Sequence, residues 1–268
     1  MADDYDDITS GIDYAQCLNG YDELIRQYGA PGKRLLDIGC GTGVDAVGFR
    51  TLGYSVTGID FSQKMISRAR VRPGAEGIRF TVADVRSLPA VGLCDIVTGM
   101  GDLVNYLLTE SDVLDAFDGI YRVLASNGLL IFDASTACNF RRYAEGYVRT
   151  GPGQVDSWSG AEFEPGARLV RRLDRFTSRN GRDWKIGTYR NTVRHYAPAA
   201  IVSMLENSSL LPLGVYGMRR GHIQEGVDEE EHRKAVYVAR RWDLPAARTA
   251  HGCTGCSAPW SLRGMLAR

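Results

Sequence analysis

Residues 35–45 read Leu35-Leu36-Asp37-Ile38-Gly39-Cys40-Gly41-Thr42-Gly43-Val44-Asp45. A short apolar strand runs into three glycines at alternate positions, and a helix opens at Val44. Glycines there let the backbone turn sharply and let a ligand approach the main chain. Asp37 stands at the strand end, the edge at which open α/β sheets bind their ligands. Gly41-Thr42-Gly43-Val44-Asp45-Ala46 also fits the G-x-G-x-x-G/A dinucleotide fingerprint, so the loop alone leaves the class of nucleotide open.

Later segments narrow it. Residues 54–59 form a second strand closed by Asp60, an acid suited to a ribose diol. Residues 78–82 form a third strand leading into Ala83-Asp84-Val85. A Tyr-x-x-x-Lys pair for hydride chemistry is missing. Ser62 caps a helix carrying Met65, Ile66 and Ala69. Residues 95–100 read as strand four. Thr109 or Ser111 starts a helix with Val113, Leu114, Phe117, Ile120, Tyr121 and Leu124 on one face, stopped by Asn127-Gly128. Residues 129–133 read as strand five. Strands alternating with helices predict an α/β fold with a parallel, doubly wound sheet. Ahead of it, Tyr14, Cys17, Leu18, Tyr21, Leu24, Ile25 and Tyr28 recur at helical spacing, and Ala30-Pro31-Gly32 ends that helix.

After Asp133 the rhythm changes. Residues 136–160 read as loop. Residues 167–177 and 184–196 look extended, with Asn180-Gly181 as a hairpin signal between them. A helix follows Pro198, and residues 211–218 and 234–241 make a closing antiparallel pair. The expected division is a helical cap over 1–32, a binding core over 33–139, a β-rich insertion or lid over 140–196, a closing part of the sheet over 197–242, and a tail over 243–268. His251, Cys253 and Cys256 in that tail are half a metal site. Zinc usually takes four ligands, so the expectation is a frayed tail and no metal.

Of 268 residues, 44% are hydrophobic and 24% charged, with 32 basic and 32 acidic side chains. That is one ordinary domain, or one with an insertion. A neutral chain lacks the positive field that holds nucleic acid or an anionic membrane. No run has the length of a membrane span, and the acidic N-terminus has no apolar core for a signal peptide. Four of the six cysteines are scattered among apolar segments, which suits reduced thiols and a cytoplasmic setting.

Residues 33–135 resemble the binding core of the class I S-adenosylmethionine (SAM)-dependent methyltransferases. Locally, residues 36–65 look like the glycine and sarcosine N-methyltransferases, including Gly41-Thr42-Gly43-Val44-Asp45 and Ser55-Val56-Thr57. Gly101-Asp102-Leu103-Val104-Asn105-Tyr106-Leu107 departs from that group and looks closer to bacterial small-molecule methyltransferases, some of which modify amino sugars or other secondary metabolites. The resemblance implies a Rossmann-like, seven-stranded sheet with its last strand reversed. It implies SAM as cofactor, with S-adenosylhomocysteine as product. Gly39, Cys40, Gly41 and Gly43 would lie against its methionine part. Asp60 would hold the ribose, with Phe61 and Met65 near the adenine. Asp84 would accept from the adenine amino group, with the Val85 amide beside it. Met100 would line the sulfonium region.

Methyl transfer from SAM is an in-line displacement by a substrate lone pair, so the protein must position, desolvate and sometimes deprotonate the acceptor. Asn105, His195 and Tyr14 are the candidates for catalysis. Tyr106, Asp133, Trp158 and Arg194 are candidates for the acceptor. Each has a plainer reading: a helix cap for Asn105, a core stripe for Tyr14, an ordinary surface histidine for His195. Trp184, Tyr143 and Tyr147 could complete an aromatic pocket, and Arg168, Arg171, Arg172, Arg175 and Arg190 could meet an anionic group or be a solvated face. DNA amino-methylating enzymes carry [DN]-P-P-[YF] after strand four, whereas Gly99-Met100-Gly101-Asp102 stands here. The expected partner is a small methyl acceptor, methylated at nitrogen or oxygen (a secondary metabolite, amino sugar or amino acid), without nucleic acid or membrane. A homo-oligomer stays open. The alternatives are a SAM-binding scaffold or non-methylating biosynthetic catalyst and, further off, an NAD-dependent oxidoreductase.

Overall fold

The computed structural model describes residues 2, 5–145, 147–150, 156–163, 169–180 and 183–243; side chains of 8, 147–150, 156–163 and 172–186 are outside that description. Five strands run parallel: β1 (Arg34–Ile38), β2 (Ser55–Asp60), β3 (Arg79–Val82), β4 (Cys94–Gly99) and β5 (Leu124–Ser135). Beyond β5 come β12 (Lys234–Arg241), β10 (Leu210–Arg219) and β11 (His222–Glu225), giving the order β11-β10-β12-β5-β4-β1-β2-β3. The last strand, β12, is antiparallel to both neighbours. The sheet thus has eight strands where seven were expected. The extra one, β11, folds back on the end of β10 from Gly217 to Arg219.

Helices cover both faces because adjacent strand residues point to opposite sides. Leu35 packs with α2 (Tyr14–Tyr28), α3 (Val44–Thr51) and α4 (Gln63–Arg70) through Tyr21, Leu24, Phe49 and Ile66. Leu36 and Ile38 pack on the other face with α5 (Glu110–Val123) and α7 (Pro198–Glu206) through Phe117, Ile120, Ile201 and Leu205. Thr109 and Asp112 start α5 with a reciprocal capping box.

The structure corrects several boundaries. Helix α2 ends at Gly29 (φ 70°), whose N–H bonds the Ile25 carbonyl, before the Ala30-Pro31-Gly32 signal is reached. Helix α5 ends at Val123, not at Asn127-Gly128. Leu124 already pairs with Cys94, and Asn127 (φ 62°) lies at the irregularity that shifts the register to Ile96–Leu129. The turn chemistry marks a strand irregularity instead of a helix stop. A short helix, α1 (Tyr5–Thr9), occupies the acidic N-terminus.

Residues expected as loop contain α6 (Ala137–Glu145), whose Phe140 and Tyr143 are buried. The insertion is a four-stranded antiparallel sheet, not a lone hairpin: β6 (Tyr147–Thr150), β7 (Asp156–Phe163), β8 (Leu169–Asn180) and β9 (Asp183–Arg194). β8 and β9 pair from Leu169–Arg194 to Asn180–Asp183. The tail candidates His251, Cys253 and Cys256, residue Arg168, and the side chains of Tyr147, Trp158, Arg172, Arg175 and Trp184 lie outside the described residues. No described helix is long and apolar enough to cross a membrane.

Candidate active site

The C-terminal ends of β1, β2, β4 and β5 meet at one edge. There Gly39 (φ 69°), Gly41 (φ 53°) and Gly43 (φ 83°) all adopt the left-handed backbone that disfavours side chains. A Cβ at Gly41 would meet open space, so the glycine is required by conformation, with room left above the loop. Cys40 itself is buried and its thiol is pushed well up by burial, so only its main chain faces a ligand.

Asp60 closes β2 and steadies this loop. One oxygen accepts from the Gly41 N–H at 3.0 Å, the other from the Ser62 N–H at 2.8 Å. Burial raises its pKa, and the two amides partly offset that. Phe61 beside it is 75% exposed, a flat apolar surface at the ligand edge, and Met65 and Met100 are half-buried. Asp84, expected at the adenine amino group, has local partners. It caps the short turn Val85–Ser87 and forms an ion pair with Arg86 at 2.6 Å, which holds its carboxyl below the ordinary range. Val85 is buried behind it.

Two further carboxylates sit beneath the loop. Asp37, 1% exposed, takes the Thr98 hydroxyl on Oδ1 at 3.1 Å and leaves Oδ2 buried without a partner. Asp45, in the first turn of α3, leaves Oδ1 buried without a partner. Burial raises both, Asp45 to about 7, and the Asp45 charge raises Asp37 further.

The roof comes from the N-terminal helices. Asp6 of α1 accepts from the Thr42 hydroxyl at 2.6 Å and pairs with Arg72, which donates to the Thr42 carbonyl at 2.6 Å. Tyr5 is held near Tyr14, Tyr106, Asp45 and Lys234, and burial pushes its phenol well up. Tyr14 is half-buried and raised to about 12 by burial, so it serves as a hydroxyl and not as a base near neutrality.

Several acceptor-side candidates turn out to be braces. Asn105 is 1% exposed; its amide donates to the Arg194 carbonyl at 2.9 Å and accepts from the Ser135 N–H at 2.8 Å. It ties β5 to β9, which gives the buried amide a structural role beside its place at the cleft. Asp133 accepts from Tyr21, the Gly101 and Asp102 amides and Lys234, at 2.8 to 3.2 Å. A carboxylate with four donors, 1% exposed, is a structural hub. Arg194 donates to the Leu108 carbonyl, pairs with Glu110 at 3.1 Å and lies over the Tyr196 ring, so it anchors β9 to the core. His195 lies 2.9 Å from Glu229 and meets the Phe140 ring edge-on. Tyr106 is 39% exposed and accepts from Asn191 of β9 at 2.9 Å.

Beside Asp102 a small cleft is lined by Asn105, Tyr106, Ser135, Phe140, Tyr143 and Val193. Its walls come from both sheets. A larger groove, about 490 Å³ and lined by Tyr121, Leu210, Pro212 and Trp242, opens where β10 begins and β12 ends. That is the opposite edge from the glycine loop, away from the strand ends that bind ligands in this class of sheet.

Sequence reasoning missed Tyr5, Asp102 and Lys234, and did not place Asp45 in the site. Asp45 sits in the quoted motif. Lys234 stands directly before the apolar run Ala235–Ala239 at the ligand-edge end of its strand, and a charge there was the available signal. Among the described residues no cluster of three or more His, Cys, Asp or Glu could hold a metal.

Residues 35–128 match the methyltransferase domain family. A protein of Geobacillus sp. (strain WCH70), provisionally named a methyltransferase, is 38% identical over 132 residues, 48% of this chain and 53% of that protein. The glycine/sarcosine N-methyltransferase of Parasynechococcus marenigrum (strain WH8102) is 33% identical over 55% of this chain and 52% of its own length. The chain thus spans about half the length of these relatives. A ubiquinone biosynthesis O-methyltransferase of Bordetella parapertussis is 36% identical over 196 residues, 72% of this chain and 68% of that protein. Among solved structures, a SAM-dependent methyltransferase from Clostridium acetobutylicum superposes with TM-score 0.77 at 21% identity, covering 88% of this chain and 95% of that one. The SAM-bound amino pentose methyltransferase CalS10 of Micromonospora echinaspora gives 0.70 at 21% identity, covering 89% and 96%.

Proposed function

Because the chain belongs to the class I SAM-dependent methyltransferases, we propose that it transfers the methyl group of SAM to a nitrogen or oxygen of a small molecule. The residues present suit the cofactor. The glycine loop leaves room above Gly41, Phe61 offers an exposed ring, Asp60 is fixed by two amides, and two buried carboxylate oxygens await a cation. SAM supplies an activated methyl on a cationic sulfur, so the protein's work is positioning and exclusion of water.

The single observation that carries the small-acceptor reading is the cleft between the core and β9. Tyr106, Phe140, Tyr143 and Val193 make it apolar, Asp102 adds one carboxylate, and the second sheet walls it. At about 10 Å³ the recess has room for one water, so it marks where the edge of a compact acceptor would approach and does not itself enclose one. The similar proteins include an N-methyltransferase of glycine and sarcosine, an O-methyltransferase of ubiquinone biosynthesis and an amino pentose methyltransferase, which supports a small acceptor and leaves both atoms in view. A neutral amine needs no strong base. For a hydroxyl acceptor, His195 backed by Glu229 is the described group suited to taking the proton.

The test is turnover with methyl-labelled SAM against amino sugars, amino acids and phenols, with the product's methyl position read by mass spectrometry. The reading expects label on N or O of a small molecule. Label appearing in nucleic acid or protein, and in none of the small acceptors, overturns it.

A further inference from the structure

The cations around the glycine loop are already engaged. Lys234 pairs with Asp133 at 2.9 Å and Asp102 at 3.2 Å. Arg72 pairs with Asp6 and bonds Thr42. Three buried carboxylate oxygens have no hydrogen-bond partner; Asp102 Oδ1 has Lys234 at 3.2 Å, whereas Asp37 Oδ2 and Asp45 Oδ1 have no ion pair of their own among the described residues. A buried carboxylate pair without a counterion is costly unless a ligand supplies the charge.

We propose that Asp45 is a cofactor-binding residue that joins Asp37 in holding the α-ammonium of SAM, and that cofactor binding expels a proton from this carboxylate pair. The proposal rests on SAM being the cofactor and goes beyond it, because it assigns the amino-acid end of the ligand to a residue on α3. The placement favours the ammonium. Asp37 is the penultimate residue of β1 and Asp45 the second of α3, so the two flank the glycine loop in the chain. Asp60, which is suited to the ribose, lies on the next strand.

The groups facing Asp45 are Asp37 on β1, Cys40 in the glycine loop, Asp133 on β5, Lys234 on β12, Arg72 after α4, Tyr5 on α1, and Tyr14, Cys17 and Tyr21 on α2. Burial and the neighbouring carboxylates raise both groups, Asp45 to about 7, so Asp45 carries a proton in part of the molecules at neutrality. A cation bound there favours the charged form, so a proton leaves for the solvent.

The experiment is calorimetry of the full chain at pH 6.5, where an α-amino group carries its proton, in phosphate and in a buffer of large ionisation enthalpy. The ligands are SAM, S-adenosylhomocysteine and 5′-methylthioadenosine, which lacks the amino-acid end. Wild-type protein should release protons on binding the first two and not the third. Asp45→Asn should weaken the first two by about ten- to a hundredfold, leave methylthioadenosine within about twofold, and diminish the proton release. Methylthioadenosine binding also reports that the variant has folded. Equal S-adenosylhomocysteine affinity in variant and wild type overturns the proposal. So does weakening of SAM alone, which would put Asp45 at the sulfonium, and so does wild-type heat that is independent of buffer. Failure of wild-type protein to bind either SAM or S-adenosylhomocysteine would instead count against the methyltransferase reading.

Discussion

The Lys234 ammonium lies 2.9 Å from the Asp133 carboxylate, joining the first residue of β12 to the end of β5 at the ligand edge. Asp133 in turn fixes the Gly101 and Asp102 amides, and Asp102 holds a left-handed backbone (φ 70°) that a non-glycine residue adopts only under constraint. Burial alone would lower Lys234, but the Asp102 and Asp133 carboxylates more than reverse it. Lys234→Met leaves two carboxylates without their cation. With a quarter of the lysine side chain exposed, the expected loss is about 3 kcal/mol, toward the low end for a broken buried pair. Denaturant unfolding measures it. A loss below ~0.5 kcal/mol would mean that the network does not hold the loop.

Asn105→Ala tests the brace between the sheets. It strands the Ser135 N–H and the Arg194 carbonyl, each bonded to the asparagine amide. Two unpaired buried groups predict a loss of about 2–4 kcal/mol in stability. A variant that kept its melting temperature and lost only turnover would return Asn105 to a catalytic role.

Asp60→Ala removes the acceptor of the Gly41 and Ser62 amides and the group placed for the ribose hydroxyls. SAM affinity should fall by about 1–3 kcal/mol, as for a lost charge-assisted hydrogen bond. NADH should not bind either protein. Unchanged SAM affinity by calorimetry would remove Asp60 from the ribose site.

The cofactor-free protein should lose stability as pH rises. Asp37 and Asp45 have folded pKa values above the unfolded value of about 4. Their favourable protonated form is therefore complete below that pH and is lost as pH climbs through about 7 for Asp45. Asp84, Asp95 and Asp112 are shifted the other way, so their contribution is already complete at pH 5 and stays flat above it. Melting curves between pH 5 and 8 should fall more steeply for wild type than for Asp45→Asn, and saturating SAM should flatten the wild-type slope. Parallel curves would show that Asp45 ionises normally in the fold.

By itself the sequence determined the glycine loop, the parallel core and the cofactor. Strand ends at Asp37, Asp60 and Asp84 follow from local apolar periodicity and from glycines, which adopt φ of 53° to 83° without steric cost. These are near-neighbour properties, legible one segment at a time. Tertiary structure decided the roles of the acceptor-side residues. Asn105, Asp133 and Arg194 read as free polar groups until partners 84 to 112 residues away are brought to them. Side-chain type announces that a group can hydrogen-bond, and only the fold says whether main chain has already taken it. The same holds for Asp45 and Lys234. One lies in the quoted motif and the other opens the last strand, and burial beside other charges is what made one an orphan and the other a counterion.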